Sequence, residues 1–243
     1  MIYHIRLTLI VTFALATFHV TAPTYAKAGN IIRTAEYGIA IDGFNVGKQY
    51  DRWQKSTGNE MALQSQKTIK TPGFFGFSYS INANYRWKNC MLSSLSMTEN
   101  DDGETIRTTG KTHDNHLSIN VNGGDFKNQS IKLATADYDL TYLNLPAYLA
   151  ARKYPKEELN LRILDTSILK IFDSRVRVQG CEKLSLAGST FNCTIIRYSA
   201  NGIESTQWIS EDAFGAFVVR EINTSELGKI QLELKLHSLS NGK

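Results

Sequence analysis

The chain lacks the short signatures that announce most enzymes. Its 243 residues contain no GxSxG elbow, no Walker loop, no GxGxxG fingerprint and no HExxH pair. Elbow-type hydrolysis, P-loop phosphate binding, dinucleotide binding and zincin chemistry therefore have no basis in the sequence. Charge of one sign is also scarce. A formal net charge of +4, with acids and bases interspersed, is too weak to argue for nucleic acid. Beyond the N-terminus no apolar run approaches the roughly 20 residues that a membrane span needs. Cysteine is limited to Cys90, Cys181 and Cys193.

What is present begins with a leader. Met1 to Arg6 is a short basic segment, and Leu7 to Val20 is an apolar run without acidic residues. Pro23 and small residues follow, with cleavage expected after Ala26 or, on the alternative spacing, after Ala28. This is the pattern of a secretory signal peptide, so residues 1–26 are read as removed and 29–243 as one mature domain. The run is short for an anchor, and the expected location is the periplasm. About 215 mature residues are enough for a sizeable core.

The most informative mature stretch is FFGFSYSINANYRW, Phe74 to Trp87. Phe75, Phe77, Tyr79, Ile81, Tyr85 and Trp87 share one set of alternate positions, and Ser, Asn and Arg hold the other. Period two predicts one strand with an oily face and a wet face. At about 3.3 Å per residue it would run roughly 45 Å, which calls for a wide, curved sheet.

Further strands are expected on both sides. Ala35–Ile41 leads through Asp42-Gly43, a hairpin signal, to Phe44–Lys55, which carries Phe44, Val46 and Tyr50 on one side. Gly47 within it marks a bulge or bend. Met61–Lys70 follows, then Lys88-Asn89 as a reversal, and Met91–Thr98, Glu104–Lys111 and Leu117–Val121 as strands. A short helix is expected over Pro146–Lys153, with proline in its first turn and Pro155 stopping it. Lys156–Asn160 reads as a polar loop. Ile168–Phe172, Arg175–Ser185, Thr190–Tyr198, Ile203–Ser210, Ala216–Asn223 and Ile230–Leu239 return to strands, punctuated by Ala187-Gly188 and Asn201-Gly202. The fold class is mainly β: an antiparallel meander sheet curled into an open or half β-barrel, with one helix covering an opening.

Candidate chemistry is sparse. His113 and His116 are the only spaced histidine pair, too few ligands for zinc, and His237, without a known partner, reads as a surface or interface residue. Asp137, Asp139, Glu211 and Asp212 read as solvated turn carboxylates. No metal, cofactor or catalytic residue is assigned. If Ser185 and Ser189 close a hairpin around Leu186–Gly188, Cys181 and Cys193 fall opposite each other within disulfide range. An oxidising compartment would permit that bond. Cys90 is left over as a small buried hydrophobe.

Three stretches carry a family likeness: YGIAIDGFNVG, YRWKNCMLSSLSMTENDDGE, and VQGCEKLSLAGSTFNCTIIRYSANGIESTQWISEDAFGAFVVRE. They resemble exported bacterial β-rich proteins catalogued only as a domain of unknown function. The resemblance implies an open antiparallel barrel like that of the bacterial lipoprotein carriers. It implies no activity and no catalytic residues. The pair Cys181 and Cys193 stands as a local addition to the pattern.

The functional expectation is non-enzymatic. The face of Phe75, Phe77, Tyr79, Ile81, Tyr85 and Trp87 is either plain core or an apolar groove for a lipid or acyl chain. The groove reading requires a cavity of a few hundred Å3. The alternatives are an assembly factor with a filled core, acting on an envelope protein through contacts, and a small-molecule enzyme with titratable groups converging inside the barrel.

Overall fold

A computed structural model describes residues 31–55, 60–71, 76–124, 126–200, 202–225 and 228–241. The expected leader and its cleavage sites lie outside the described residues, as do Phe74 and Phe75. Among the described residues fifteen strands form one sheet. The first half comprises β1 (Ile31–Ile41), β2 (Phe44–Lys55), β3 (Glu60–Lys70), β4 (Ser78–Lys88), β5 (Met91–Asp101), β6 (Glu104–His113), β7 (His116–Gly123) and β8 (Phe126–Ala134). The short β9 (Leu140–Thr141) and the helix α1 (Leu145–Ala151) follow. The second half comprises β10 (Leu159–Asp165), β11 (Lys170–Leu186), β12 (Ser189–Ala200), β13 (Ile203–Glu211), β14 (Ala216–Ser225) and β15 (Gly228–Asn241).

Each half is a meander, and the two are joined where β1 pairs with β15. All pairings are antiparallel except β9 with β10. The edges of the sheet are β8 and β9, which are neighbours in sequence. Laid flat, fifteen strands would span roughly 65–70 Å at the usual spacing. The link 135–139 between the edges can bridge only about 20 Å. The sheet must therefore roll until its edges nearly meet, and the result is an open barrel.

Turn chemistry agrees with the sequence where a left-handed backbone is needed. Asp42 and Gly43 have φ of 47° and 86°, and Ala187 and Gly188 have φ of 52° and 71°, the two-residue hairpin form that matches strand twist. The helix ends where Lys153 and Tyr154 turn left-handed, just before Pro155. It packs on β14, and its Leu145 and Leu149 are fully buried.

Several expectations are corrected. The long strand is shorter than expected: Gly76 and Phe77 lie outside it and β4 begins at Ser78. Its partner β3 ends at Lys70, opposite Ser78. Thr71 then closes the connection, its N–H donating to the Phe77 carbonyl at 2.9 Å and its hydroxyl accepting from the Phe77 N–H at 2.8 Å. A strand without a partner cannot continue. The longest strand is β11, at 17 residues.

Gly47 does sit at a bulge: Ile39 pairs with Gly47 while Ala40 pairs with Asn45. The extra residue flips the side-chain alternation. Val46 points inward before it; Gln49, Asp51 and Trp53 point inward after it, and Tyr50 is exposed. Three strands, β8, β9 and β10, escaped the sequence reading; β10 begins at Leu159 inside the expected loop Lys156–Asn160, and the expected strands Ile168–Phe172 and Arg175–Ser185 are one strand, β11. β8 is a polar edge, and β10 ends with Ile163, Leu164 and Asp165 all buried, a run without the alternation of a one-sided strand.

The core lines the inside of the roll. Trp53 and Trp87 stack at 6.2 Å between ring centroids, and Tyr85 stacks on Trp87 at 5.6 Å. Leu63, Leu92, Leu117 and Ile119 belong to the same core and are fully buried.

Candidate functional site

Of the six aromatic and aliphatic positions expected to face inward, Ile81, Tyr85 and Trp87 are buried, and Phe77 and Tyr79 are half-buried. Phe75 lies outside the described residues. The cavity beside Ile81 and Tyr85 holds only about 30 Å3 and is shared with Gln49, Ser65 and Lys67. That is room for about one water. The face packs as core.

The inside of the barrel is instead distinguished by ionisable groups. On β2, the bulge turns Asp51 inward, where it is fully buried. Gln49 donates to both of its oxygens at 3.1 Å. Burial pushes the Asp51 carboxyl up to about 7, against the hydrogen bonds from Ser65 and Gln49. On β3, the alternation that buries Leu63 and Ile69 also buries Lys67. Burial lowers this amine to about 8, while Glu99, Asp165, Asp51 and Glu221 act to raise it.

Glu221 on β14 is the centre of the second half. Tyr198 donates to its Oε1 at 3.1 Å, Asn223 to Oε1 at 3.0 Å, and Gln207 to Oε2 at 3.2 Å. Tyr142 also donates to Oε1, and its hydroxyl meets that of Tyr198. Burial pushes the Glu221 carboxyl up to about 8 in spite of these donors. The donors come from β12, β13, β14 and the short 3-10 turn Tyr142–Asn144.

Above this centre is a small cleft of about 30 Å3. Tyr142, Asp165, Ser174, Tyr198 and Ser205 supply its polar side, and Ile163, Ile168, Phe172, Ala200 and Ile203 its apolar side. The Ser174 hydroxyl is buried there without a hydrogen-bond partner. Buried carboxyls near neutral pKa, flanked by tyrosine O–H groups, are the kind of arrangement that can store or pass a proton.

A second cluster ties β1 to the 212–215 turn. Arg33 is fully buried, with Nε 3.0 Å from Asp212 Oδ2. Its guanidinium lies over Phe214 and Phe217 at 4.4 and 4.9 Å and donates to the Gly215 carbonyl at 3.3 Å. Burial lowers Arg33 to about 10, with Asp212 opposing. His237 Nε2 is 2.9 Å from the same Asp212 oxygen, and its ring stacks on Phe217 at 4.8 Å. Burial disfavours ionised Asp212, yet the hydrogen bond from His237 and the charge of Arg33 hold its carboxyl below the ordinary range. His237 therefore has a partner, and Asp212 is no solvated turn residue. The sequence offered no sign of this, because the pairing joins positions at opposite ends of the chain.

His113 and His116 flank the β6–β7 turn. The His113 side chain is exposed beside Asp114, and His116 Nδ1 donates to the Asp114 carbonyl at 2.9 Å. Among the described residues no group of three potential metal ligands occurs.

The cysteine pairing is overturned. The hairpin closes on two residues, Ala187 and Gly188, so Leu186 pairs with Ser189 and Glu182 with Cys193. Cys181 faces Thr194 instead. A slip of one residue puts the two thiols on opposite faces: Cys193 is buried, Cys181 exposed, and both are free. Cys90 is likewise not buried. It is an exposed turn residue with φ of 66° beside Asn89, so the reversal falls on Asn89-Cys90.

The rolled, nearly closed antiparallel sheet defines a β-barrel-like protein. The chain belongs to the family described as Domain of unknown function (DUF6134), whose model matches residues 37–235. It is similar to the solved beta-barrel-like protein of Domain of Unknown Function DUF1849 from Brucella abortus. That likeness has a TM-score of 0.63 at 9% sequence identity, covering 87% of this chain and 99% of the other, and speaks to fold alone. No curated protein matches the sequence.

Proposed function

We propose that this chain is an exported, non-catalytic protein of the cell envelope that works by holding a partner on its outer surface. One observation carries the reading: the inside of the barrel is packed. Trp53, Tyr85 and Trp87 stack there, and the two inner cavities hold about 30 Å3 each. An acyl chain or other lipid-sized ligand needs several hundred. Export rests on the leader pattern of residues 1–26 and makes the periplasm its location.

The test is uptake of a fluorescent fatty acid by the folded mature protein. No saturable uptake is expected. Saturable uptake that Phe77→Asp abolishes would overturn the surface reading and restore the carrier. N-terminal sequencing of the protein recovered from the periplasmic fraction should begin at Lys27 or Gly29.

A second reading is supported by the unpartnered Ser174 hydroxyl at the cleft above Glu221. There the hydroxyl or amine of a molecule no larger than a small alcohol would sit, in place of a water. Thermal shifts produced by small alcohols and amines, and lost in Ser174→Ala, would support it; shifts equal in both proteins would remove it.

A further inference from the structure

The outside of the first half has an unusual charge pattern. Strand register aligns its outward residues in rows. One row runs Arg52–Gln64–Asn84–Ser96–Thr109–Asn120 across β2 to β7. Three neighbouring rows pass through Lys48, Tyr50 and Gln54. Together the four rows carry six cations: Lys48, Arg52, Arg86, Arg107, Lys111 and Lys132. From β2 to β8 they carry no carboxylate, although the chain has 23 acidic residues; on β1 the row through Tyr50 ends at Glu36. Nearly all the remaining positions are hydroxyls or amides. Solvated sheet faces are ordinarily polar, but they ordinarily mix both signs. Among the described residues none of the six cations makes an ion pair.

The face also has a groove. A cavity of about 430 Å3 opens where β2 to β5 run side by side, and Arg52, Gln54, Gln64, Asn84, Arg86 and Ser94 line it. Arg52 is half-buried there, and Arg86 is exposed. Guanidinium groups present planar forks of N–H donors to carboxylate, sulfate or phosphate. Asn, Gln and Ser supply both donors and acceptors, which is what sugar hydroxyls require.

We propose that this groove and the rows around it bind an acidic polysaccharide, a deepening that rests on the surface-acting reading above. A carboxylated sugar would place its anion between Arg52 and Arg86 and its hydroxyls on Gln64, Asn84 and Ser94. Lys111 and Lys132 extend the cationic track beyond the groove. A groove suits a chain better than a planar lipid surface, and the face lacks the apolar side chains that would enter a bilayer. Tyr50 is its one exposed large ring.

The experiment is affinity electrophoresis of the mature protein in gels containing polygalacturonate, with dextran gels as the neutral control and phosphatidylglycerol vesicles in a parallel sedimentation assay. Polygalacturonate should retard the protein, salt should weaken the effect, and dextran should do nothing. The double variant R52Q/R86Q, shown folded by its thermal melt, should bind at least about tenfold more weakly. A second variant, K111Q/K132Q, lies outside the groove and should lose less.

Absence of retardation, equal retardation by dextran, or unchanged binding in R52Q/R86Q would overturn the proposal. So would sedimentation with the vesicles that exceeds polygalacturonate binding, which would make the partner a membrane. Fatty-acid uptake separates the two levels. Failure here without uptake overturns only the polysaccharide, whereas uptake overturns the surface reading itself.

Discussion

Tyr198 on β12 and Glu221 on β14 meet at 3.1 Å across the intervening strand, both out of reach of solvent. The carboxyl that receives this hydroxyl is held in its protonated form up to about pH 8 by burial. Asp51 on β2 is held up to about 7 for the same reason.

These two groups make stability depend on pH with a definite sign. Each has a folded pKa above its unfolded value, which lies near 4 for a carboxyl. The folded state therefore binds protons that the unfolded chain has released. The contribution is complete below about pH 4 and is lost as pH rises to about 7 for Asp51 and about 8 for Glu221. Urea midpoints should fall steadily between pH 5 and pH 8, and Glu221→Gln should flatten the upper part of that fall. Above pH 8 the sign reverses for Lys67, whose lowered pKa lets the unfolded chain bind the extra proton. Midpoints that rise from pH 5 to pH 8 would contradict the buried centre.

Removing Asp212 should be costly. Its loss would leave Arg33 buried without its carboxylate and release the turn held through Phe214 N–H at 2.7 Å and Gly215 N–H at 2.9 Å. Breaking a buried ion pair from one side costs about 3–5 kcal/mol. Asp212→Ala should lower unfolding free energy by about that much in chemical denaturation, and a change under about 1 kcal/mol would be incompatible with this clamp.

The three thiols should separate by reactivity. Cys90 and Cys181 are exposed, and burial pushes the Cys193 thiol up to about 11. A maleimide reagent should label two sites in the native protein and the third, Cys193, only on unfolding. Recovery of a Cys181–Cys193 disulfide from the native protein would show that the hairpin register is wrong.

Gly47 should tolerate no side chain. A Cβ there would run into the carbonyl oxygen of Thr68 on the neighbouring strand. Gly47→Ala should destabilise by about 2–3 kcal/mol, the scale of an overpacked core. The same substitution at Gly43, where a Cβ meets nothing within 4 Å, should cost less, although its φ of 86° is itself strained for alanine. Equal effects at both sites would argue against the bulge.

Much of the barrel could be read along the chain because its evidence is local. Ile81, Tyr85 and Trp87 alternate with Asn82, Asn84 and Arg86, and they do bury one face of β4. Asp42-Gly43 and Ala187-Gly188 turn where their backbone freedom allows, and Pro155 follows the end of the helix. The buried centre was not legible. Gln49 and Asp51 look like surface residues until the bulge at Gly47 reverses the alternation of β2. Glu221 sits in a strand where charge ordinarily marks solvent. A charged residue that keeps phase with buried neighbours, as Lys67 does between Leu63 and Ile69, is the one signal that could have pointed there.

The sequence by itself determined strand content, most turns and the mainly β class, since period and turn chemistry are properties of neighbouring residues. The tertiary structure alone decided the join of β1 to β15, the packed interior and the company that Asp51, Lys67, Arg33 and Glu221 keep. Those depend on which distant strands meet, and a single-residue change of register or a bulge is enough to send the same side chain to the opposite face.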